Sequence, residues 1–148
     1  MPKTPTQPDV LILGDHPCAY LAAAILAQSQ SIRVCHATIP GEKVVDRLVT
    51  INPALFDLHE IISPLKNKLE LEPIYGLKFL ADDPATASSH VNESIAAYVG
   101  SYKQIRAEMV KLAQKEGVKF HQPTTLEISG LDETGLDIEI DGAPLHAT

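Results

Sequence analysis

Asp9-Val-Leu-Ile-Leu-Gly-Asp-His-Pro-Cys-Ala-Tyr-Leu-Ala-Ala-Ala-Ile-Leu-Ala-Gln28 is the stretch on which the fold turns. Asp9 to Leu13 is short, apolar and bounded by Pro8 and Gly14, the pattern of a strand buried on both faces. Pro17 suits the first position of a helix, where its missing N–H costs nothing. Tyr20 to Gln28 is Ala- and Leu-rich and apolar almost all round, so the helix packs deeply. Ile32 to His36 reads as a second strand. A strand, a tight turn, a helix and a strand within about thirty residues make a βαβ unit with parallel strands and a right-handed crossover.

Downstream, Pro40-Gly41 marks a turn. Asn52-Pro53 starts a short helix through His59, which Pro64 ends or restarts. Ile74 to Leu80 has strand character around Gly76, and residues 82–94 read as a polar loop. Ser101 and Gln104 form a capping box, with the serine bonding forward and the glutamine reaching back. Ile105, Met109 and Leu112 place one apolar face on the helix that follows, and Gly117 ends it. Val118 to Phe120 is a short strand. Leu126 to Leu131 and Leu136 to Ile140 alternate apolar and polar, with a turn over residues 132–135. Asp141-Gly142 is a two-residue hairpin signal, so the chain closes in an antiparallel meander. Asp132 and Asp141 read as turn residues, and His90 and His121 show no partner at any motif spacing.

Composition bounds the function. The chain has 148 residues, 45% apolar and 21% charged, which is the make-up of a folded domain with a real core. A net charge of -7 without any basic run argues against nucleic acid or an acidic membrane as partner. The longest apolar stretch, Cys18 to Ala27, is about half of a bilayer span. The opening MPKTPTQP has no apolar core, so residues 1–8 read as a disordered tail and not a signal peptide. Two cysteines, Cys18 and Cys35, imply no disulfide scaffold and a cytoplasmic setting. Trp is absent and aromatics make up 5%, which argues against a stacking platform for bases or sugars.

The turn at Gly14 is where chemistry enters. A strand running into a helix N-terminus presents backbone N–H groups and a partial positive charge, which together bind phosphate. The dinucleotide form of this turn uses glycine at three places. Here they hold Gly14, His16 and Ala19. Asp15 and Pro17 complete the turn as cofactor-binding candidates.

Beyond these residues, the stretch from Asp9 to Gln28 resembles the opening of FAD-dependent monooxygenases of the aromatic hydroxylase type, with their geranylgeranyl reductase and flavin-dependent halogenase relatives. Pro17 matches the family proline, and Ala22 to Ala24 match its small residues. AYVGSYKQIRAEMVKLAQKEGVKF, residues 97–120, resembles the family's extended Tyr-containing run and the helix that leads to its next strand. DGAPLHAT resembles the stretch before a further parallel strand. The resemblance implies an α/β, Rossmann-like FAD-binding fold: a βαβ parallel sheet plus an antiparallel meander, incomplete at its C-terminus. Residues 9–148 would then be a partial FAD- or NAD(P)-binding domain. The implied function is that of the N-terminal part of an FAD-dependent oxidoreductase, monooxygenase or halogenase-like, acting on a small organic substrate. The alternative is a degenerate, non-enzymatic module that has lost flavin and serves packing or partner binding. A third reading is a small anion- or nucleotide-binding protein that uses the turn alone.

The departures from the family are specific. Its ribose-binding acid at the end of the second strand falls on Ala37 or, with one insertion, on Thr38, which becomes the ribose candidate. Its Asp-Arg pair is replaced by Ser101-Tyr102. A halogenase lysine would fall near Ile74, with Lys78 out of register, and the Trp-x-Trp-x-Ile-Pro motif is absent. Arg47 is placed to reach a phosphate, as arginines after the second strand do in this family. Cys18 reads as a small buried residue in place of the family's alanine. His16, Cys18, Cys35 and His36 lie near two strand ends, but Cys35 and His36 point to opposite faces, so no metal site is expected. No catalytic acid or base can be named. The implied missing strand leaves an open sheet edge through which the chain would self-associate.

Overall fold

The computed structural model describes residues 8–29, 31–41, 43–79, 85, 88–133 and 135–147, and only the backbone of 146 and 147. Residues 1–7 of the expected tail, Leu80 and most of 82–87 lie outside the described residues. In chain order the elements begin with β1 (Val10–Leu13), α1 (Pro17–Ala27), β2 (Val34–Ala37), β3 (Leu48–Ile51), β4 (Glu72–Ile74), β5 (Gly76–Phe79) and β6 (Ser88–Val91). They continue with β7 (Ala97–Ser101), α2 (Tyr102–Lys115), β8 (Lys119–His121), β9 (Leu126–Asp132), β10 (Gly135–Ile140) and β11 (Ala143–Ala147). The chain divides into two compact units, Met1–Val44 with Met109–Thr148, and Val45–Glu108.

In the first unit, β1, β2 and β8 form a parallel sheet in the order β1–β2–β8. Leu13 is in register with Ala37, and Ala37 with His121, so the three strands end together. The helix α1 begins at Pro17 and buries Tyr20, Ala23 and Ala24. Tyr20 stacks on His36 of β2 at 4.2 Å between ring centroids, and Phe120 of β8 packs against both rings. Two expectations change here. The strand β2 starts two residues later than the sequence predicts, because Asp9 clamps Arg33. The Asp9 and Val10 amides both donate to the Arg33 carbonyl, and the Arg33 amide and guanidinium donate back to the Asp9 carboxylate at 2.8–3.0 Å. Nor is β1 buried on both faces: all four of its residues are half-exposed. Among the described residues it is an outer strand with β2 as its one neighbour.

The meander forms as expected, in the order β11–β10–β9, with a bulge at Asp137/Ile138. Asp141 and Gly142 make its second turn with φ of 49° and 79°. Two positive φ values in a two-residue loop match the twist of the flanking strands.

In the second unit, β3 and β4 flank β7 in an antiparallel sheet. Phe56, Ile62, Leu65, Leu69 and Tyr98 are buried, with Phe56 edge-on to Tyr98. The residues around Asn52-Pro53 and Pro64 form two short 3-10 helices, Pro53–Asp57 and Ser63–Asn67. The first is capped by Asn52, whose side chain accepts from the Ala54 amide at 3.0 Å. The single strand expected over residues 74–80 is two strands broken at Tyr75. Within the expected polar loop, Ser88–Val91 is β6, paired antiparallel with β5. β6 is exposed throughout and three of the four residues of β5 are. Backbone pairing holds this hairpin, and the sequence of β6 carries no apolar alternation to announce it.

The capping box is half made. Ser101 Oγ accepts from the Gln104 amide at 3.1 Å and donates to Asp46 Oδ1, which also accepts from the Lys103 amide. The Gln104 side chain does not reach back; it accepts from the Glu70 amide at 3.3 Å. On α2, Ile105, Met109 and Leu112 are buried, and Gly117, with φ of 84°, follows its end.

Candidate functional site at the carboxyl edge of the parallel sheet

Gly14 follows β1 with φ of 120°, a region that L side chains rarely adopt. Its amide donates to the Ala37 carbonyl at 3.0 Å, which ties the turn to the end of β2. A Cβ built on Gly14 would meet nothing within 4 Å, so the space over the turn is open to a ligand.

His16 is the N-cap of α1. Its Nδ1 accepts from the Cys18 amide at 3.2 Å, and its carbonyl accepts from the Ala19 amide at 2.9 Å. Pro17, buried at the first helical position, has no N–H. The amides of Pro17 to Ala19, which would greet a phosphate, are therefore absent or already bonded. Asp15 accepts from the Tyr20 hydroxyl, so its carboxylate is held beside the same turn. Cys18 is exposed and not buried as the sequence suggested, because it lies on the outer side of the first helical turn.

At the end of β2, Ala37 is fully buried and Thr38 is half-buried, with its amide donating to the His121 carbonyl at 3.2 Å. Neither brings a carboxylate. Arg47 belongs to the second unit, where it is exposed and its guanidinium lies 4.2 Å over the Tyr102 ring. Thus the turn residues Gly14 to Ala19 and Thr38 share one edge of one sheet, while Arg47 is engaged within the other unit.

Cys35 and His36 alternate on β2. Cys35 is half-buried, and burial pushes its thiol pKa up. His36 is fully buried in the stack with Tyr20 and Phe120. Among the described residues, no three His, Cys, Asp or Glu side chains are gathered to hold a metal ion.

One cluster escaped the sequence. His121, the last residue of β8, places Nε2 3.1 Å from Asp141 Oδ2. Oδ1 of the same carboxylate accepts from the Thr124 amide (2.7 Å), the Thr124 hydroxyl (2.8 Å) and the Thr125 amide (3.0 Å). These bonds, the Thr125 amide foremost, hold the Asp141 pKa down to about 2. The hairpin signal locates Asp141, but no local rule joins it to a histidine twenty residues away.

FAD fits these residues in part. The place of a Cβ on Gly14 is open, as the close approach of a pyrophosphate requires, whereas His16 holds the middle glycine position and its ring takes the Cys18 amide. No helix of the described residues is long and apolar enough to cross a membrane.

No family profile matches the chain, and no curated protein does. Solved structures do. A variant of 2-methyl-3-hydroxypyridine-5-carboxylic acid oxygenase superposes with a TM-score of 0.71 at 14% identity, over 96% of this chain and 38% of that one. A variant of the halogenase PltM in complex with FAD gives 0.66 at 18% identity, over 96% of this chain and 33% of that one. A geranylgeranyl bacteriochlorophyll reductase-like protein from Thermoplasma acidophilum gives 0.60 at 14% identity, over 95% and 36%. The chain therefore has the mixed α/β fold, a parallel sheet joined to antiparallel ones, of a part amounting to about a third of these oxygenase, halogenase and reductase-like structures.

Proposed function

We propose that the chain is the dinucleotide-binding part of a flavin-dependent oxidoreductase acting on a small organic substrate. The observation that carries this reading is Gly14: a positive-φ glycine between a parallel strand and a helix N-terminus, bonded to the neighbouring strand end and open above. Ligands of open α/β sheets sit beyond the carboxyl ends of the strands, where this turn lies. The likeness to a halogenase solved with FAD supports FAD as the dinucleotide. The flavin, when bound, supplies the redox chemistry, and the protein binds and orients it. Gly14, Asp15, His16, Pro17 and Ala19 would line the pyrophosphate, and Thr38 the ribose.

A second reading is favoured by the His16 cap. A ring that takes the Cys18 amide and stands where the pyrophosphate needs room suits a module that has given up flavin for packing or partner binding. Fluorescence titration of the full chain with FAD separates the two. Under the oxidoreductase reading FAD binds, weakly. The double variant His16→Gly with Thr38→Glu then tightens binding about tenfold or more, since it restores the approach and a charge-assisted ribose bond. Absence of FAD binding by both proteins overturns it in favour of the module.

A further inference from the structure

We propose that His121, oriented by Asp141, is the residue that accepts a hydrogen bond from a ribose hydroxyl of a nucleotide bound at this edge. This inference rests on the dinucleotide reading of the Gly14 turn and deepens it.

The ribose end of such a site needs an acceptor near the end of β2, usually a carboxylate. The chain places no carboxylate there: Ala37 is buried, and Thr38, which follows it, brings only a hydroxyl. One strand over, about 4.8 Å away, β8 ends on His121, in register with Ala37 and therefore on the same face of the sheet. The backbone joins the two positions directly, Thr38 N–H to His121 carbonyl.

The chemistry of the ring follows from its partner. An ionised carboxylate can only accept, so Nε2, 3.1 Å from Asp141 Oδ2, carries the proton. In the neutral imidazole Nδ1 is then an acceptor, and the hydrogen bond at one nitrogen decides the role of the other. The His121 side chain is 48% exposed, so an incoming hydroxyl can reach the ring. Asp141 is itself fixed through Oδ1 by Thr124 and Thr125, which leaves Oδ2 for the histidine. Asp141 is thus a positioning residue and His121 the binding residue. With Nε2–H held by Asp141, Nδ1 offers the acceptor that the end of β2 does not provide as a carboxylate.

The test compares ADP with 2′,3′-dideoxy-ADP on the full chain by isothermal titration calorimetry. The wild type is expected to prefer ADP by about fivefold to tenfold, the worth of one or two hydrogen bonds. Two isosteres separate binding from scaffolding. In His121→Asn the amide oxygen stands where Nδ1 does, so the preference persists although the link to Asp141 is lost. In His121→Gln the amide N–H stands where Nε2–H does, so the link and the fold persist and the preference falls to about one. Retention of the preference by His121→Gln, or its loss in His121→Asn with native circular dichroism, overturns the proposal. Tighter binding of adenosine 2′,5′-bisphosphate than of adenosine 5′-monophosphate also overturns it, because the edge would then hold a phosphate. Equal binding of ADP and its dideoxy analogue by the wild type removes the role of His121 alone. Failure of the wild type to bind either nucleotide removes the dinucleotide reading and this inference together.

Discussion

Single residues at the edge of the parallel sheet carry opposed demands. Gly14 combines φ of 120° with open space, so a larger side chain is excluded by backbone strain and not by crowding. Gly14→Ala is expected to cost about 1–3 kcal/mol in urea unfolding, the range for a residue forced into a sparsely populated region. His16 differs: its ring stabilises the helix start by the bond from the Cys18 amide, at the position where the dinucleotide form of the turn carries its middle glycine. The carboxylates of Asp9 and Asp141 are both held down to about 2, the first by the Arg33 guanidinium and amide, the second by Thr125 and Thr124. Unfolded, each titrates near 3.8, so the unfolded chain takes up their protons first as the pH falls. Their stabilising contribution is whole above about pH 5 and is lost as the pH drops toward 2. Urea midpoints measured between pH 6 and pH 2 are expected to fall in that window, and less steeply in Asp141→Asn, which keeps an acceptor but cannot titrate.

At the scale of elements, caps and close approaches matter more than propensity. The start of α2 rests on Ser101, which accepts from the Gln104 amide and is itself held by Asp46. Bonds from Ser101 and Lys103 lower the Asp46 pKa. Ser101→Ala removes the capping acceptor and the Asp46 anchor together, and about 1 kcal/mol of thermal or urea stability is expected to go with it. In the β5–β6 hairpin, a Cβ on Gly76 would run into the backbone of His90 and Val91. Gly76→Ala is therefore expected to part the two strands, seen as faster amide hydrogen exchange over 88–91 with little change over 97–101. If exchange over 88–91 is unchanged, the hairpin does not depend on that approach.

At the scale of the whole molecule, the parallel sheet has, among the described residues, three strands and two outer ones, β1 and β8. The run Val10-Leu-Ile-Leu13 is as apolar as a central strand, yet it stands half-exposed. An apolar outer strand is a template for pairing with another chain. Concentration-dependent self-association is expected in sedimentation velocity, and a monomer that persists at high concentration would show that the edge is closed. Three of the exposed large apolar residues, Leu77, Phe79 and Val91, lie on the β5–β6 hairpin of the second unit, a two-stranded ribbon that is marginal in water without a cover.

The sequence by itself determined what depends on near neighbours in the chain. Gly14 and Pro17 mark the start of α1, and the spacing of Ile105, Met109 and Leu112 marks the buried face of α2. Asp141-Gly142 sets the last turn of the meander. Each follows from the dihedral preferences of one or two residues or from the period of a helix, and each stands in the structure as read. Tertiary structure decided the rest, through partners tens of residues apart. Arg33 meets Asp9 and delays β2; Gln104 meets Glu70 and leaves the capping box half made. His36, legible only as a soft ligand near a strand end, is fully buried because Tyr20 and Phe120 close on its ring. The candidate site divides in the same way. Its turn is local and was legible, whereas the His121–Asp141 pair exists only because a parallel strand and a hairpin turn end side by side, which no spacing rule encodes.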